Sequence, residues 1–442
     1  MPTFINPRDR FPTDDLCLYR DKLKENRNYP NLDKNKKTRI CVIGAGFTGL
    51  LSAYYLKEYG FDVVVVERHR VGWGASGRNS GQVIPGYNQD IRVIARKYGE
   101  DIAKVSYQAT VEALGEIRRL IEKHSIDCDF KPGLTITATN KKSNDDLGDH
   151  IEFLREKVGY KTDFIDANET AKDIGTTLYE GAMRDNFAGC FNPLKYITSI
   201  AAICAEMGVE IYEETPALIL KKTASGKMEI TTPKAIITAD KVIAAGDAYQ
   251  GRLLPNLRKK YVLLRTSMLA TEVLSDDLYE QILPSNHAVF EWQNLTNYYT
   301  KTADKRLIFG GGDAPLTRNK SEEEKAFKSV YGEMIKLYPA LQNIHITHWW
   351  GGYFSATLNE LPQIGCIDNK IHYALGFCGH GVVPTHMSAR LMAARIAEDK
   401  NLSQENPDFA KAFRTGNIPF AGKYDHHLVG LGMIWHKIKD ML

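Results

Sequence analysis

The feature that most constrains the fold is a glycine triplet between an apolar run and a helix-like segment. The stretch "ICVIGAGFTGLLSAYYLKEYGFDVVVVE" places Gly44, Gly46 and Gly49 in a G-x-G-x-x-G frame. The apolar run before the frame and the one at 63–66 predict two buried parallel strands, and the apolar spacing between them predicts a helix. Glu67 ends the second strand. This order predicts a βαβ unit that binds a dinucleotide.

Each residue of this unit has its own task in binding a dinucleotide. Gly44 allows the sharp turn, Gly46 lets the backbone approach a pyrophosphate, and Gly49 lets the helix pack closely on the strand. The free N–H groups at the helix N-terminus bind the phosphates. Glu67 is placed to accept hydrogen bonds from a ribose diol, and its charge disfavours NADP. The alternative interpretation is a glycine-rich turn in an unrelated α/β protein.

Length and composition limit the class of protein. A chain of 442 residues predicts two domains. A formal net charge of +3 argues against a dominant nucleic-acid surface. The seven cysteines are scattered without a C-x-x-C pair, which predicts buried reduced thiols and no metal site.

The sequence carries no sign of export or membrane insertion. Its first residues are charged and contain no apolar h-region, so we expect no signal peptide. No apolar run approaches the length of a membrane span. These patterns predict a cytoplasmic protein.

Patterning along the chain predicts an alternation of helices and strands. Residues 1–37 are expected to form a polar, irregular leader, and 70–87 a glycine-rich loop. The remaining predicted elements are mainly amphipathic helix over 90–160 with a strand at 133–140, a helix from about Pro193 to Gly208, strands at 209–212 and from 239 into a turn at 249, antiparallel strands within 267–274 and 306–312, and a helix over about 384–398.

Five stretches in this order carry a family resemblance. They are the fingerprint with Glu67, "GWGASGRNSGQV" (72–83), "VIAAGDAY" (242–249), "NYYTKTADKRLIFGGG" (297–312), and "TLNELPQIG" with "GFCGHGV" (357–365 and 376–382). With them the chain resembles the FAD-dependent oxidoreductases of the D-amino-acid oxidase, glycine oxidase and sarcosine oxidase group. Within that group it looks most similar to the γ-glutamylputrescine oxidoreductase branch.

The resemblance implies an α/β protein, α+β overall, with two domains that are discontinuous in sequence. A Rossmann-like FAD-binding domain is expected to combine 38–90, 190–260 and 347–400. A substrate domain on a mixed or antiparallel sheet is expected to combine 91–189 and 261–346, and 401–442 would form a C-terminal tail.

The resemblance also implies which residues bind FAD. The predicted cofactor residues are Gly44, Gly46, Phe47, Thr48, Gly49, Glu67, Arg68, Gly74, Ala75, Ser76, Arg78, Asn79, Gly81, Gln82, Ala245, Gly246, Gly352, Pro362, Gly379, His380, Gly381 and Val382. The cysteine that links the flavin in sarcosine oxidases is missing from "GGYFSATLNELP", so we expect non-covalent FAD.

The stretch "GFCGHGV" is expected to meet the flavin ring. Glycine backbone can pack against a flat ring, and the N-terminus of the following helix can stabilise negative charge that develops on reduction. His380 would either add to that stabilisation or contribute its backbone alone. Cys378 would be either a redox group or a small residue packed near the cofactor.

The reaction implied by the resemblance is oxidation of a C–N bond. A hydride passes from the carbon to flavin N5, and water then hydrolyses the imine. Alkyl ammonium groups resemble lysine, with a pKa of about 10.4, and an apolar pocket would lower that pKa. Aromatic or cationic candidates for the pocket wall, each equally open to a place in the core, are Trp292, Tyr298, Tyr299, Lys301, Trp349, Trp350 and Tyr353. No residue stands out as a general base.

Departures from the family pattern bear on the substrate. Amino-acid-oxidising members usually carry an arginine after the tyrosine of the "NYY" strand, where this chain has Thr300. Sarcosine-oxidase-like members carry a lysine soon after the "GFxGHG" turn, where Val382 and Val383 stand. The absent clamps favour an amine, such as a γ-glutamyl polyamine, over a simple α-amino acid. Lys301 could still meet a remote carboxylate.

Other functions explain part of the pattern. An NAD-dependent dehydrogenase accounts for the fingerprint but not for "GASGRNSGQV" or "GFCGHGV". A flavoenzyme that modifies RNA shares the predicted fold, but the near-neutral charge speaks against it. A glycine, sarcosine or D-amino-acid oxidase and a non-catalytic flavoprotein also stay open. The expected partners are a small amine and oxygen or another electron acceptor, with no nucleic acid and no membrane span.

Overall fold

The computed structural model describes residues 17–23, 28–251, 253–293, 296–314, 320–399, 413–419, 421, 425 and 427–430. The helices in this part of the chain are α1 (Leu18–Asp21), α2 (Phe47–Glu58), α3 (Ile91–Tyr98), α4 (Glu100–Lys123), α5 (Lys141–Phe153), α6 (Ala167–Ile174), α7 (Pro193–Glu206), α8 (Pro255–Arg258), α9 (Asp276–Gln281), α10 (Lys320–Leu337) and α11 (Val382–Ala397).

The strands form two sheets. They are β1 (Lys36–Ile43), β2 (Val63–Val66), β3 (Gln82–Val83), β4 (Lys131–Ala138), β5 (Asp163–Asp166), β6 (Gly181–Cys190), β7 (Glu210–Tyr212), β8 (Ile219–Lys222), β9 (Met228–Thr231), β10 (Ile236–Ala244), β11 (Val262–Thr271), β12 (Ala288–Glu291), β13 (Tyr298–Lys301), β14 (Leu307–Ala314), β15 (Ile346–Ala356), β16 (Gln363–Ile367) and β17 (Ile371–Leu375).

The first sheet has a parallel centre, as the fingerprint predicts. Its order is β16-β17-β10-β1-β2-β7, with β9 on β10 and β8 on β9. Strands β17, β10, β1, β2 and β7 run parallel, and Ile40 pairs with both Val63 and Lys241. Helix α2 covers the centre of this sheet and is buried from Phe47 to Leu56. The arrangement confirms the Rossmann-like fold.

The second sheet is mixed and mostly antiparallel. Its order is β15-β11-β14-β13-β12-β4-β6-β3, with β5 on β6. Of the described strand pairs in this sheet, only β12 with β4 is parallel. The strands around β12–β15 pack with α10 on a core that includes Tyr299, Phe309 and Trp349. The sheet confirms the predicted mixed architecture.

Sheet membership sharpens two predicted boundaries. Strands β3 and β15 belong to the second sheet, although 82–83 and 347–356 were assigned to the FAD domain. β15 pairs with β11 along almost its whole length, so the predicted boundary at 347 falls inside a strand. The division into two domains otherwise stays a prediction.

The predicted leader and tail are partly packed against the body. Cys17, Leu18 and Tyr19 are buried, and the Tyr19 ring meets Trp350 edge-on with centroids 5.7 Å apart. This corrects the prediction of an irregular leader for that segment, because burial of Leu18 and Tyr19 offsets the ordering of a short helix. Phe413 of the tail packs on Tyr87. The rest of both predicted segments lies mostly outside the described residues.

Two further expectations concern the cysteines and the membrane. All seven cysteines are free thiols and six are buried, but Cys366 is exposed, because alternate residues of the antiparallel hairpin β16–β17 face outward. Among the described residues, no helix combines the length and apolarity that a bilayer crossing needs.

Candidate functional site

A cavity of about 980 Å³ lies where the carboxyl ends of β1, β2 and β10 meet the second sheet. It reaches from Glu67 to the first turn of α11. The predicted cofactor residues that line it are Gly44, Gly46, Phe47, Thr48, Glu67, Arg68, Gly74, Ala75, Ser76, Arg78, Asn79, Ala245, Gly246, Gly352, Gly379, Gly381 and Val382. In open α/β sheets, ligands bind at such an edge.

The three fingerprint glycines are required for three different reasons. Gly44 has a φ of +107°, and a Cβ there would lie 3.0 Å from the carbonyl oxygen of Ala245. A Cβ at Gly46 would lie 2.8 Å from Ser76 Oγ, in the space in front of α2. A Cβ at Gly49 would lie 1.9 Å from the carbonyl oxygen of Gly44, so this glycine serves helix packing and does not line the cavity.

Glu67 stands at the end of β2 and faces the cavity. Its Oε2 accepts a hydrogen bond from the Ala45 backbone N–H at 2.8 Å, and its Oε1 accepts one from the His69 N–H at 2.9 Å. Burial raises the pKa of the carboxyl group. The remaining lone pairs of both oxygens can accept the hydroxyl groups of a ribose, as predicted. The neighbouring His69 ring stacks on Trp73 with centroids 4.1 Å apart.

The glycine-rich loop folds over the start of α2. The backbone N–H of Phe47 donates to Ser76 Oγ at 2.9 Å. Asn79 Nδ2 donates to the carbonyl oxygen of Ala75 at 2.9 Å, and Asn79 Oδ1 accepts the N–H of Gly81 at 2.8 Å. The loop therefore places Ala75, Ser76 and Asn79 on the cavity wall.

Four predicted cofactor residues besides Gly49 lie outside the cavity lining. Gln82 Nε2 donates to the carbonyl oxygen of Val289 at 2.7 Å, within the second sheet. Gly81 approaches Phe191 so closely that a Cβ would lie 1.8 Å from its carbonyl oxygen. Pro362 and His380 are likewise absent from the wall. For Gln82 and Gly81 these contacts indicate a packing role, and the prediction that the four residues contact the cofactor stays a prediction.

The turn before α11 presents its backbone to the cavity. Gly379, Gly381 and Val382 line the wall, and α11 begins at Val382. His380 Nε2 instead hydrogen-bonds the carbonyl oxygen of Ile84 at 3.2 Å, and burial lowers its pKa to about 4. The neutral imidazole is thus held against the glycine-rich loop, and both predicted roles of His380 at the flavin stay predictions.

Cys378 resembles a packed residue more than a redox group. Its Sγ donates to the carbonyl oxygen of Gly376 at 3.1 Å and accepts from the Thr357 N–H at 3.5 Å. Burial raises the pKa of the thiol to about 12, which opposes formation of the reactive thiolate.

Several cavity residues were missed by the sequence analysis. Asp247 and Tyr249 form a 3-10 turn directly after β10, and the Tyr249 hydroxyl accepts the backbone N–H of Tyr353 at 2.9 Å. Trp73 meets Tyr249 edge-on at 5.6 Å. The stretch "VIAAGDAY" carries part of the family resemblance. Its position at the end of a central strand is a signal that also predicts a place in the site.

The candidate pocket residues divide between the cavity and the cores. Tyr353 lines the cavity. The Tyr298 hydroxyl hydrogen-bonds Oγ1 of Thr266, a lining residue, at 2.5 Å. Gly310 makes room for Tyr298, because a Cβ there would lie 2.1 Å from its ring. These two tyrosines are the predicted residues that reach the second-sheet wall.

The other pocket candidates are not among the residues that line this cavity, so their place in the pocket wall stays a prediction without support from its lining. Alternation along β13 turns Tyr299 into the α10-side core, where it stacks on Phe309. Trp349 Nε1 donates to Glu323 at 2.8 Å and Trp350 Nε1 to the carbonyl oxygen of Arg78 at 2.9 Å. Trp292 Nε1 donates to Asp146 Oδ2 at 2.7 Å. Lys301 Nζ donates to the carbonyl oxygen of Tyr279 at 2.7 Å.

The residues present fit FAD. The cavity joins a glycine-edged helix N-terminus with a ribose-facing carboxylate at one end and a second helix N-terminus at the other. Gln250 lines the cavity and is 7% exposed, and its Oε1 has no hydrogen-bond partner. A bound molecule with donor groups, such as the ribityl hydroxyls, would satisfy this oxygen. No cysteine is among the described lining residues, and non-covalent attachment stays a prediction.

The geometry therefore defines a dinucleotide-binding flavoprotein with its cavity between two sheets. A family model described as FAD dependent oxidoreductase matches residues 39–395. The chain belongs to this family, and it is an FAD-dependent oxidoreductase.

Similar proteins of known name support the assignment. The chain is 36% identical over 419 residues to gamma-glutamylputrescine oxidoreductase of Escherichia coli (strain K12), covering 94% of this chain and 95% of that protein. Glycine oxidase from Bacillus cereus superposes with a TM-score of 0.70 at 18% identity, covering 86% of this chain and 99% of that one. L-proline dehydrogenase from P. horikoshii gives a TM-score of 0.70 at 21% identity, with 86% and 98% covered. These two likenesses show the shared fold.

Proposed function

We propose that this protein oxidises the C–N bond of a small amine of the γ-glutamylputrescine type, with water hydrolysing the imine to a carbonyl compound and an amine. The 36% identity to gamma-glutamylputrescine oxidoreductase over nearly the whole of both chains supports this substrate class. The chemistry that bound FAD supplies is acceptance of the hydride from the carbon beside the nitrogen.

The observation that carries the proposal is the placement of β13. In this strand Thr300 stands where amino-acid-oxidising relatives usually carry an arginine, and its side chain is buried against Cys190 Sγ at 3.6 Å. Lys301 Nζ lies 3.8 Å from the centre of the Tyr279 ring and donates to the backbone of the same residue. Neither side chain reaches the cavity, so β13 supplies no cation to clamp an α-carboxylate.

The second-sheet wall suits a neutral amine. Around Thr266 and Met268 this wall carries Tyr353 and Phe354. Tyr249 lines the same cavity from the turn after β10. An apolar surrounding disfavours the ammonium form and lowers the pKa of a bound amine, and a hydride leaves only from the neutral form. The aromatic faces can also hold a second, distant cationic group of the substrate.

Two positive groups of the chain stand at the cavity, and one of them would stabilise the reduced flavin. The N-terminus of α11 points its partial positive charge into the cavity, where negative charge developing on reduction would be stabilised. Arg78 is 4% exposed, and its guanidinium lies over the Trp73 ring at 4.8 Å, so this cation is held within the loop.

Product analysis tests the proposal. The FAD-loaded protein is incubated with γ-glutamylputrescine, putrescine, glycine, sarcosine and D-alanine, in air and again with an added two-electron acceptor dye that reoxidises the reduced flavin. The products are identified by mass spectrometry. We expect an aldehyde from γ-glutamylputrescine and little turnover of the three amino acids. Turnover of glycine or D-alanine above that of every amine would support an amino-acid oxidase, and no turnover of any compound would favour a non-catalytic flavoprotein.

A further inference from the structure

Asp247 occupies an unusual position on the cavity wall. It follows β10, lines the cavity, and has a φ of +41°. Residues other than glycine rarely adopt this backbone conformation, although aspartate and asparagine tolerate it better than most. A non-glycine residue held in this region at a ligand cavity is a candidate for a functional role.

The Asp247 carboxylate joins three separate elements. Its Oδ1 accepts the Gly376 N–H at 2.9 Å and also hydrogen-bonds the Ser355 hydroxyl. The same Gly376 N–H lies 2.8 Å from Ser355 Oγ, and the Ser355 carbonyl oxygen accepts the Cys378 N–H at 3.0 Å. The contacts therefore tie the end of β10 and strand β15 of the second sheet to the turn that follows β17.

This turn determines where α11 begins. Residues 376–381 lead from β17 into α11, and Gly379, Gly381 and Val382 line the cavity. The turn contains Gly376, Cys378 and Gly379 at positive φ, so its shape depends on the hydrogen bonds that hold it. A shift of the turn would move the positive end of α11 relative to anything bound in the cavity.

We propose that Asp247 is a positioning residue that, through Gly376 and Ser355, fixes the turn before α11 and thereby the N-terminus of α11 at the FAD cavity. The proposal rests on FAD dependence and is independent of the substrate proposed above. It assigns to the Asp247 side chain an accepting role at Oδ1, which asparagine at the same φ can also fill.

Two substitutions separate this role from general folding. Asp247→Asn retains an oxygen acceptor, and Asp247→Gly removes it while easing the positive φ. Asp240→Asn is the matched control, because Asp240 lies on β10, the strand that leads to Asp247, stands outside the cavity lining and is ion-paired with Lys227. Three properties are measured for each variant. They are the Kd for FAD from titration of the apoprotein, the two-electron midpoint potential of bound FAD, and the thermal unfolding of the apoprotein.

The proposal predicts a graded result. Asp247→Gly should raise the Kd for FAD about tenfold, because the hydrogen bonds to Gly376 of the turn and to Ser355 of β15 are lost. Compared with wild type, Asp247→Gly should lose about tenfold more affinity for reduced flavin than for oxidised flavin, which lowers the midpoint potential by about 30 mV. Asp247→Asn should restore both values to within about threefold of wild type, and Asp240→Asn should change neither.

Two outcomes would overturn the proposal. One is a wild-type Kd and potential in Asp247→Gly. The other is equal loss in Asp247→Asn and Asp247→Gly, which would assign the effect to the negative charge. If Asp247→Gly does not fold, Ser355→Ala removes one of the two donors, and wild-type values in that variant would equally contradict the positioning role.

Discussion

The two ends of the cavity are built in different ways. The end around Gly46 and Glu67 comes from one continuous βαβ unit, together with the glycine-rich loop that follows it. The opposite wall combines the turn after β10, strands β11 and β15, and the turn before α11. The first end depends on local backbone geometry, whereas the second depends on how distant segments pair.

This difference explains which residues are open to substitution. At the fingerprint the backbone itself forms the site, so a methyl group added at Gly44 or Gly49 collides with main-chain atoms that cannot move. On the opposite wall, side chains such as Tyr353 project from strands that the sheet already fixes. We therefore expect changes at the first end to abolish cofactor binding. Changes to side chains on the strands of the opposite wall should alter substrate kinetics, whereas changes at Asp247 in the turn after β10 should act on FAD through the turn before α11.

Gly49→Ala should have the largest effect. Its Cβ would lie 1.9 Å from the Gly44 carbonyl oxygen. The free energy of unfolding should fall by about 3 kcal/mol, as is typical of overpacking, and FAD should no longer bind. Urea denaturation and the flavin absorption of the purified variant measure the two effects.

The matched control is Gly115→Ala in the middle of α4. A Cβ at Gly115 meets no atom within 4 Å, so the helix should gain about 1 kcal/mol of stability and bind FAD normally. A Gly49→Ala protein as stable as wild type would contradict the account of the first end.

The pH dependence of kcat/KM and that of FAD affinity should differ, which distinguishes the two ends of the cavity within one protein. Because the amine must be neutral to lose a hydride, kcat/KM should rise about tenfold per pH unit below the pKa of the amine. FAD affinity should not follow this slope, since no amine takes part in it. Steady-state kinetics and FAD titration at several pH values check both statements, and a flat kcat/KM profile would argue against the neutral-amine requirement.

Tyr353→Leu should lower kcat/KM for the amine about tenfold, equivalent to about 1.4 kcal/mol, through loss of an aromatic face. FAD content should stay at the wild-type value. The control is Trp349→Phe, which removes the hydrogen bond to Glu323 and part of the ring packed in the α10-side core, and which should cost about 2 kcal/mol of stability without changing kcat/KM. If Trp349→Phe impaired turnover more than Tyr353→Leu, the placement of the pocket wall would be wrong.

The accuracy of the sequence-based predictions also differs between the two ends of the cavity. The fingerprint, α2, β2 and the start of α11 were predicted almost to the residue, because local spacing determines them. The faces of Tyr298 and Tyr299 or of Trp349 and Trp350 could not be predicted, since adjacent strand residues point to opposite sides and the register selects which side meets the cavity. The role of Asp247 was missed because its partners lie more than 100 positions away.

Lys301→Met should have the smallest effect on activity. Lys301 lies outside the cavity, so kcat/KM should be unchanged, and a large loss would revive its role in binding a carboxylate. Burial lowers the pKa of Lys301 to about 8, below its usual value near 10.5. Between these pH values the unfolded chain binds more protons, so wild type should gain stability relative to Lys301→Met as pH rises. Thermal unfolding across that window measures the change.

The most direct test of the account is anaerobic reduction of the bound flavin. The FAD-loaded protein is mixed with γ-glutamylputrescine or with glycine in the absence of oxygen, and the visible flavin absorption is followed. We expect rapid bleaching by γ-glutamylputrescine and little bleaching by glycine. In a separate sample of untreated protein, acid precipitation should release yellow FAD into the supernatant. Bleaching by glycine alone, or by neither compound, would contradict the account.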